Sequence, residues 1–264
     1  MTAAPGNPWL DAARFGARRQ LPSLARESAP AEATTPLGAG LDRQVAAVWA
    51  QQMQWPGGSA VAADELVLCG SGREALGLAL GGLLIPGDTV LVARPAAVDA
   101  LATVLGRGAR YVDVGRLHDG AVDAAAAARA AGRHPDAVAW MEAPGLLAED
   151  DAPAWAGVAV RARIADLRHA GWPTALPEAD AVLLALRDPD APGTPVLWAV
   201  AARGGAAGLL GAIGGAGDLP AGTLSRSAAV LRGWAVDPGW VAAVLRHCAE
   251  RARLLSDLAL VHPG

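Results

Sequence analysis

Short apolar runs alternate with amphipathic stretches in the first half of this chain. Residues 66–69 and 89–93 are continuous apolar runs typical of buried strands, and residues 74–84 carry apolar side chains at helical spacing. Gly70-Ser71-Gly72 forms a turn that opens this helix, and Pro86-Gly87-Asp88 ends it. The order of strand, helix and strand favours a parallel sheet covered by helices, with a ligand site at the carboxyl ends of the strands.

The same alternation continues and predicts one α/β domain, with a mostly parallel sheet and helices on both faces. Further helices are predicted at residues 41–52, 95–105, 122–131, 221–234 and 240–260. Further strands are predicted at residues 109–114, 137–141, 158–165, 181–186 and 196–201. This domain spans residues 37–264. Residues 1–36, rich in Pro, Ala and Ser without clear periodicity, are predicted to form an N-terminal arm, either partly disordered or packed on a partner.

Charged residues refine three parts of this pattern. Arg161 and Arg163 alternate with apolar residues in one predicted strand, which is typical of a half-exposed edge strand. Residues 187–195 contain three prolines and two aspartates, which indicates a loop between the last two strands. Glu149-Asp150-Asp151 is predicted to be a solvated loop rather than a metal site.

Composition argues against several classes of function. The chain has a net charge of −4 and no basic run, so we expect no binding of nucleic acid through a phosphate-neutralising patch. Its N-terminus lacks the apolar segment of a signal peptide, and Arg203 interrupts the weakly polar run at residues 196–217. Cys69 and Cys248 are far apart in the sequence and indicate neither a disulfide framework nor a metal cluster. We therefore expect a cytoplasmic protein without a membrane span or a metal.

Two motifs resemble the start of the large domain of fold type I pyridoxal 5'-phosphate (PLP) enzymes, above all class I aminotransferases and MocR-like aminotransferase domains. The motifs are Gly70-Ser71-Gly72-Arg73-Glu74-Ala75-Leu76 and Pro86-Gly87-Asp88-Thr89-Val90-Leu91-Val92. In that family the Ser/Gly turn holds the cofactor phosphate. Asp166 matches the family carboxylate that pairs with the pyridine nitrogen. The resemblance thus makes Gly70, Ser71, Gly72 and Asp166 the candidate cofactor-binding residues, and it implies a dimer.

The chain departs from the family at the positions that carry its chemistry. It contains no lysine, and the Schiff-base position falls on Asp188, or on Arg187 if the loop slips by one residue. Neither side chain forms an imine. The second phosphate ligand falls on Pro195, the stacking aromatic ring on Ala96-Ala97, and the ring-hydroxyl asparagine near Gly145. The family's small C-terminal domain, which carries the substrate-binding arginine, is expected to be absent. We expect no catalytic residue of the aminotransferase type, and PLP only as a non-covalent ligand.

Each surviving feature has an ordinary structural explanation beside the functional one. Ser71 either caps the following helix or binds a phosphate with the free N–H groups of the turn. Asp166 is either a functional carboxylate or a relic held by Arg163 or Arg168. Cys69, on a buried strand, is interpreted as a core residue rather than a nucleophile.

Three interpretations follow. The first is a pseudoenzyme, a structural or regulatory subunit that pairs with itself or with an active aminotransferase-fold protein. The second is a repurposed enzyme or small-ligand-binding protein, in which Ser71, Asp166, His169 and Asp188 converge in the old cofactor cleft. The third is a decayed relic that folds without a function. The sequence names no substrate, pathway or partner.

Overall fold

We analysed the chain as a computed structural model, which describes residues 40–118, 120–142, 151–169, 175–188, 191–204, 206, 208 and 219–236. The predicted N-terminal arm and the predicted helix at residues 240–260 lie outside the described residues. The positions of Gly145 and Cys248 lie outside them as well.

The strands form one seven-stranded sheet in the order β1-β7-β6-β5-β4-β2-β3. The strands are β1 (Leu66–Cys69), β2 (Thr89–Val92), β3 (Arg110–Asp113), β4 (Val138–Glu142), β5 (Ala162–Asp166), β6 (Ala181–Asp188) and β7 (Ala191–Ala202). Strand β7 runs antiparallel to both β1 and β6, and every other pairing is parallel. The predicted mostly parallel sheet is confirmed.

Helices cover both faces of this sheet, as predicted. They are α1 (Leu41–Ala50), α2 (Gly72–Leu83), α3 (Val98–Gly106), α4 (Ala124–Arg133), α5 (Ala152–Trp155) and α6 (Ala221–Val236). Successive side chains of a strand point to opposite faces. In β6, Leu183 therefore packs in the core with α2 and α3, whereas Leu184 packs in the core with α1, α4, α5 and α6. Each such buried leucine contributes about 1.5–3 kcal/mol of transfer free energy.

In the part of the chain that the structure describes, no helix is both long enough and apolar enough to cross a membrane.

Strand β5 corrects the prediction of an edge strand. It lies between β4 and β6, and Ala162, Ile164 and Ala165 are buried. The prediction was wrong because its two arginines find partners at the amino end of the strand. Arg161 lies before the strand and donates to Asp88, and Arg163 Nη2 donates to the Val158 carbonyl at 2.8 Å.

The predicted loop at residues 187–195 is also wrong. Strand β6 continues to Asp188 and β7 begins at Ala191. The register pairs Arg187 with Pro195 and Asp188 with Ala191, with shifts on either side of Arg187. Such irregularities are where a sheet tolerates proline, because the missing N–H falls outside the regular ladder.

The Pro-Gly-Asp motif has a local structural role at the start of β2. The Asp88 N–H donates to the Ile85 carbonyl at 3.1 Å, which closes a turn with Pro86 and Gly87 at its centre. Gly87 has φ +93°, a conformation that favours glycine. The Asp88 carboxylate accepts the Ile85 N–H at 2.8 Å and Arg161 Nη2 at 2.7 Å. The motif therefore holds the helix-to-strand turn together.

Candidate functional site

The candidate residues lie at the carboxyl edge of the parallel strands. Glu142 ends β4 and Asp166 ends β5, and the two residues pair directly in the register of the sheet. Two helices also reach this edge through contacts with Arg168. They are α2, whose amino end is at Gly72, and α3, whose first turn contains Asp99. The topology thus brings two carboxylates, Asp166 and Asp99, and a helix terminus into contact with Arg168, and it places Glu142 beside Asp166.

Arg168 holds Asp166 in a bidentate ion pair. Its Nε donates to Asp166 Oδ1 at 2.9 Å and its Nη2 to Oδ2 at 2.7 Å. The backbone N–H of Arg168 adds a third donor to Oδ1 at 3.0 Å. The side chains of Arg168 and Asp166 are only 6% and 1% exposed. Of the two arginines considered for this role, Arg168 has it and Arg163 does not.

The other edge of the same guanidinium faces Asp99. Arg168 Nη1 donates to Asp99 Oδ2 at 2.7 Å, and Nη2 lies 3.2 Å from Oδ1. Nη1 also lies 3.3 Å from the Gly72 carbonyl oxygen, and the Arg168 carbonyl accepts Arg187 Nη2 at 2.7 Å. Burial alone would lower the pKa of Arg168, but its hydrogen bonds to Asp166 and Asp99 raise it. Arg168 is therefore a permanent cation that joins β5, α2 and α3.

The turn before α2 is closed by its own side chains. Ser71 Oγ accepts the Glu74 N–H at 3.1 Å, so Ser71 is the N-cap of α2. Glu74 Oε2 in turn accepts the Gly70 N–H at 2.8 Å. A Cβ on Gly72 would lie 3.0 Å from Trp198 Nε1, so the turn also packs closely against β7. The Gly70 N–H of the turn thus donates to a carboxylate of this chain.

Both residues at the predicted lysine position contact other side chains or backbone. Arg187 donates to the Arg168 carbonyl, and Asp188 Oδ2 accepts Arg226 Nη2 of α6 at 2.9 Å. Pro195, at the position of the second phosphate ligand, pairs with Arg187 in the sheet.

Glu142 is a site residue that sequence reasoning missed. Its Oε1 accepts the Ala97 N–H at 2.6 Å and Trp140 Nε1 at 3.0 Å. Burial raises the pKa of Glu142 above its ordinary value; these hydrogen bonds oppose the shift, and the charges of Asp166 and Asp151 reinforce it. Its position as the last residue of a buried strand was the available signal.

Asp151 corrects the prediction of a solvated loop. It is buried and bound to Arg116, with Oδ1 2.7 Å from Nη1 and Oδ2 2.9 Å from Nη2. Asp151 Oδ2 also lies 3.3 Å from the Glu142 nitrogen, so the pair supports the end of β4. Glu149 and Asp150 lie outside the described residues.

The remaining candidates have simpler environments. Cys69 is buried in the core, and burial, helped by the charge of Glu74, raises its pKa to about 12, which suits a core residue rather than a nucleophile. His169 is exposed. Within the described ranges, no group of three or more His, Cys, Asp or Glu side chains is placed to hold a metal ion.

Comparisons with known proteins found similarity at the level of three-dimensional structure. No protein-family model matches the chain, and no curated protein matches its sequence. N-succinyldiaminopimelate aminotransferase from Mycobacterium tuberculosis matches over 85% of this chain and 64% of its own, with a TM-score of 0.60 and 18% identity. YbdL from Escherichia coli, described as a methionine aminotransferase, matches over 84% of this chain and 63% of its own, with a TM-score of 0.63 and 16% identity.

A third neighbour is aspartate aminotransferase from Thermus thermophilus, with a TM-score of 0.61, 17% identity and coverage of 85% of this chain. The chain spans 63–64% of the length of these three structures. Identities this low establish the fold alone. The described part of the chain therefore has the fold of the large domain of fold type I, PLP-dependent aminotransferases.

Proposed function

We propose that this chain is a catalytically inactive relative of the aminotransferases, a pseudoenzyme that acts as a structural or regulatory subunit. The observation that carries the proposal is the buried ion pair between Asp166 and Arg168. The family carboxylate that matches Asp166 pairs with the pyridine nitrogen of PLP. Here both oxygens of that carboxylate already accept hydrogen bonds from the chain's own guanidinium.

The residues at this edge of the sheet do not fit PLP. A Schiff base needs a lysine amine, and Arg187 and Asp188 occupy that position. A phosphate needs free N–H donors and no adjacent negative charge, yet the Glu74 carboxylate accepts the Gly70 N–H. The ring and the imine therefore lack their usual partners in this chain, and a phosphate at the turn would lie beside the Glu74 carboxylate.

A subunit role fits the exposed surface of α2 and α3. The resemblance implies a dimer, and we propose pairing with a second copy or with an active aminotransferase-fold protein. Val98 and Leu105 of α3 are 65% and 55% exposed, and Ile85 after α2 is 64% exposed. Apolar side chains of this size in water are compatible with a contact surface. Sedimentation equilibrium of the purified protein, alone and mixed with candidate partners, measures this association directly.

A PLP titration tests the proposal. Wild-type protein is titrated with PLP and followed by visible absorbance and by the melting temperature, because a ligand that binds only the folded state must stabilise it. We expect no saturable change and no aminotransferase turnover with an amino-acid panel. Saturable binding that is lost in Asp166→Asn and retained in Asp113→Asn, an exposed carboxylate elsewhere, would refute the proposal.

A small-ligand-binding role in the same cleft is the second candidate, and Glu142 favours it. Ser71, Asp166 and Asp188 already accept hydrogen bonds from the chain. Both donors to the Glu142 carboxyl converge on Oε1, and none of the described residues donates to Oε2. A thermal-shift screen of amino acids and amines, repeated on Glu142→Gln, tests this role. A hit that the variant loses supports it, and a hit unchanged by the variant places the ligand elsewhere.

A further inference from the structure

The guanidinium of Arg168 is bound along two of its three edges by carboxylates. The edge formed by Nε and Nη2 faces Asp166, at 2.9 and 2.7 Å. The edge formed by Nη1 and Nη2 faces Asp99, at 2.7 and 3.2 Å. The Gly72 carbonyl accepts from Nη1 at 3.3 Å. Each N–H-bearing nitrogen of the group thus has an acceptor, and the acceptors come from three different elements.

We propose that the shell formed by Asp166, Asp99 and Gly72 is a receptor site for a guanidinium group, which Arg168 fills as an internal ligand. The site has the properties of a built binding site. Asp166 is 3% exposed and lies at the carboxyl edge of the sheet, where ligands of α/β folds bind. This inference rests on the proposed function, because the Arg168 guanidinium then occupies the position at which a cofactor would otherwise contact Asp166.

The chemical class of the ligand follows from the geometry. Two carboxylates that meet at one shared nitrogen, Nη2, require a planar cation with donors on adjacent edges. An ammonium is a compact point charge and cannot present two coplanar pairs of N–H groups, so lysine does not replace arginine here. A free methylguanidinium ion presents the same two edges as the side chain.

The site also has a structural consequence. Asp166 belongs to β5, Gly72 begins α2 and Asp99 lies in the first turn of α3. Arg187 of β6 is tied in through the Arg168 carbonyl. Arg168 therefore holds the carboxyl edge of the sheet together, and its loss leaves a buried carboxylate without a counterion.

Chemical rescue of Arg168→Ala tests the proposal. We expect the variant to melt about 6–20 °C below wild type, as expected for a broken buried ion pair in a chain of this size. Methylguanidinium chloride is then expected to raise the melting temperature saturably, by about 4–7 °C at twenty times its dissociation constant. Methylammonium chloride and sodium chloride at the same concentrations are expected to give no such rise.

Two variants separate a specific site from a general salt effect. The first is Arg161→Ala, which removes a guanidinium that pairs with Asp88 near the surface. For this variant methylguanidinium is expected to give no saturable rise in the melting temperature. In Arg168→Ala with Asp166→Asn the rescue is expected to disappear. Equal rescue by methylammonium, rescue that survives Asp166→Asn, or a stable Arg168→Ala that shows no response would each overturn the proposal.

If Arg168→Ala is recovered only unfolded, refolding yield replaces the melting temperature as the readout. Methylguanidinium in the refolding buffer is expected to increase the soluble yield severalfold over methylammonium, and equal yields contradict the proposal. The rescue experiment and the test of the proposed function can fail independently. The proposed function is tested by PLP binding to the wild-type chain, in which Arg168 is intact.

Discussion

Replacing Arg116 by Met tests how much the buried ion pair with Asp151 stabilises the fold. The two side chains are 6% and 3% exposed and are joined by contacts of 2.7 and 2.9 Å. Removing one partner leaves the other charge buried without compensation. Such a change costs about 3–5 kcal/mol of the free energy of unfolding.

Replacing both partners is expected to cost less than either single change. The double variant Arg116→Met, Asp151→Leu leaves no unpaired charge, and it also removes Arg116 Nε, which is buried without a hydrogen-bond partner. What remains is the loss of hydrogen bonds to the Gly120 and Ala93 carbonyls and of the bond from the Glu142 N–H to Asp151. Each is worth about 0.5–1.5 kcal/mol, so the double variant is expected to lose about 1.5–4.5 kcal/mol.

Urea unfolding followed by circular dichroism measures these free energies, with Arg94→Met as the control. Arg94 pairs with Asp113 at the similar distance of 2.8 Å, but the side chains are 47% and 30% exposed. We expect that control to cost less than about 1 kcal/mol. Equal losses for Arg116→Met and Arg94→Met, or additive losses in the double variant, would refute the link between burial and cost.

Four further predictions concern α2 and two carboxyl groups. Gly77→Ala is expected to raise the free energy of unfolding by about 0.5–1 kcal/mol in urea titrations, because its Cβ would meet nothing within 4 Å. Gly81→Ala is expected to gain less, because its Cβ would lie 2.6 Å from Arg107 Nη2. Burial raises the pKa of Asp88, but hydrogen bonds from Arg161 and the Ile85 N–H outweigh it, and the folded-state pKa lies below 3.8. The wild-type protein should therefore lose stability as the pH falls from 3.8 through the lowered folded-state pKa of Asp88. Thermal melts at acidic pH should show that Asp88→Asn lacks this pH-dependent loss of stability. The raised pKa of Glu142 acts in the opposite direction, so stability should fall as pH rises from 4.5 through its folded-state value, and Glu142→Gln should remove that fall.

Local patterns were sufficient to predict most of the elements. Strand β1 was predicted with the bounds that the structure gives, because its apolar run is bounded by acidic residues before Leu66 and by the glycine turn after Cys69. Arg168 was named as a partner of Asp166 because the two residues are neighbours in the sequence and meet across one turn. Such signals are local, so a single sequence contains them.

The residues that contact one another in the site lie far apart in the sequence, so no local sequence pattern indicates their contacts. Glu142 accepts the N–H of Ala97, 45 positions away, and Asp151 pairs with Arg116, 35 positions away. From the sequence alone, the acidic run that contains Asp151 is expected to be solvated, because its partner Arg116 is brought close only by the fold. The same holds for Arg161, which indicated an edge strand although its partner Asp88 lies 73 positions away.

The pairing at the end of β6 bears on whether a lysine could be accommodated at the position that the resemblance assigns to the Schiff base. A lysine introduced at residue 187 or 188 would lie on a strand already paired with β7, through Arg187 with Pro195 and Asp188 with Ala191. It would also remove the contact of Arg187 with the Arg168 carbonyl or that of Asp188 with Arg226. A single codon change would therefore disturb the hairpin before it supplied an amine to any ligand. A Schiff-base lysine at this end of β6 would therefore need several coordinated substitutions, because the neighbouring contacts of residues 187 and 188 would have to be replaced as well.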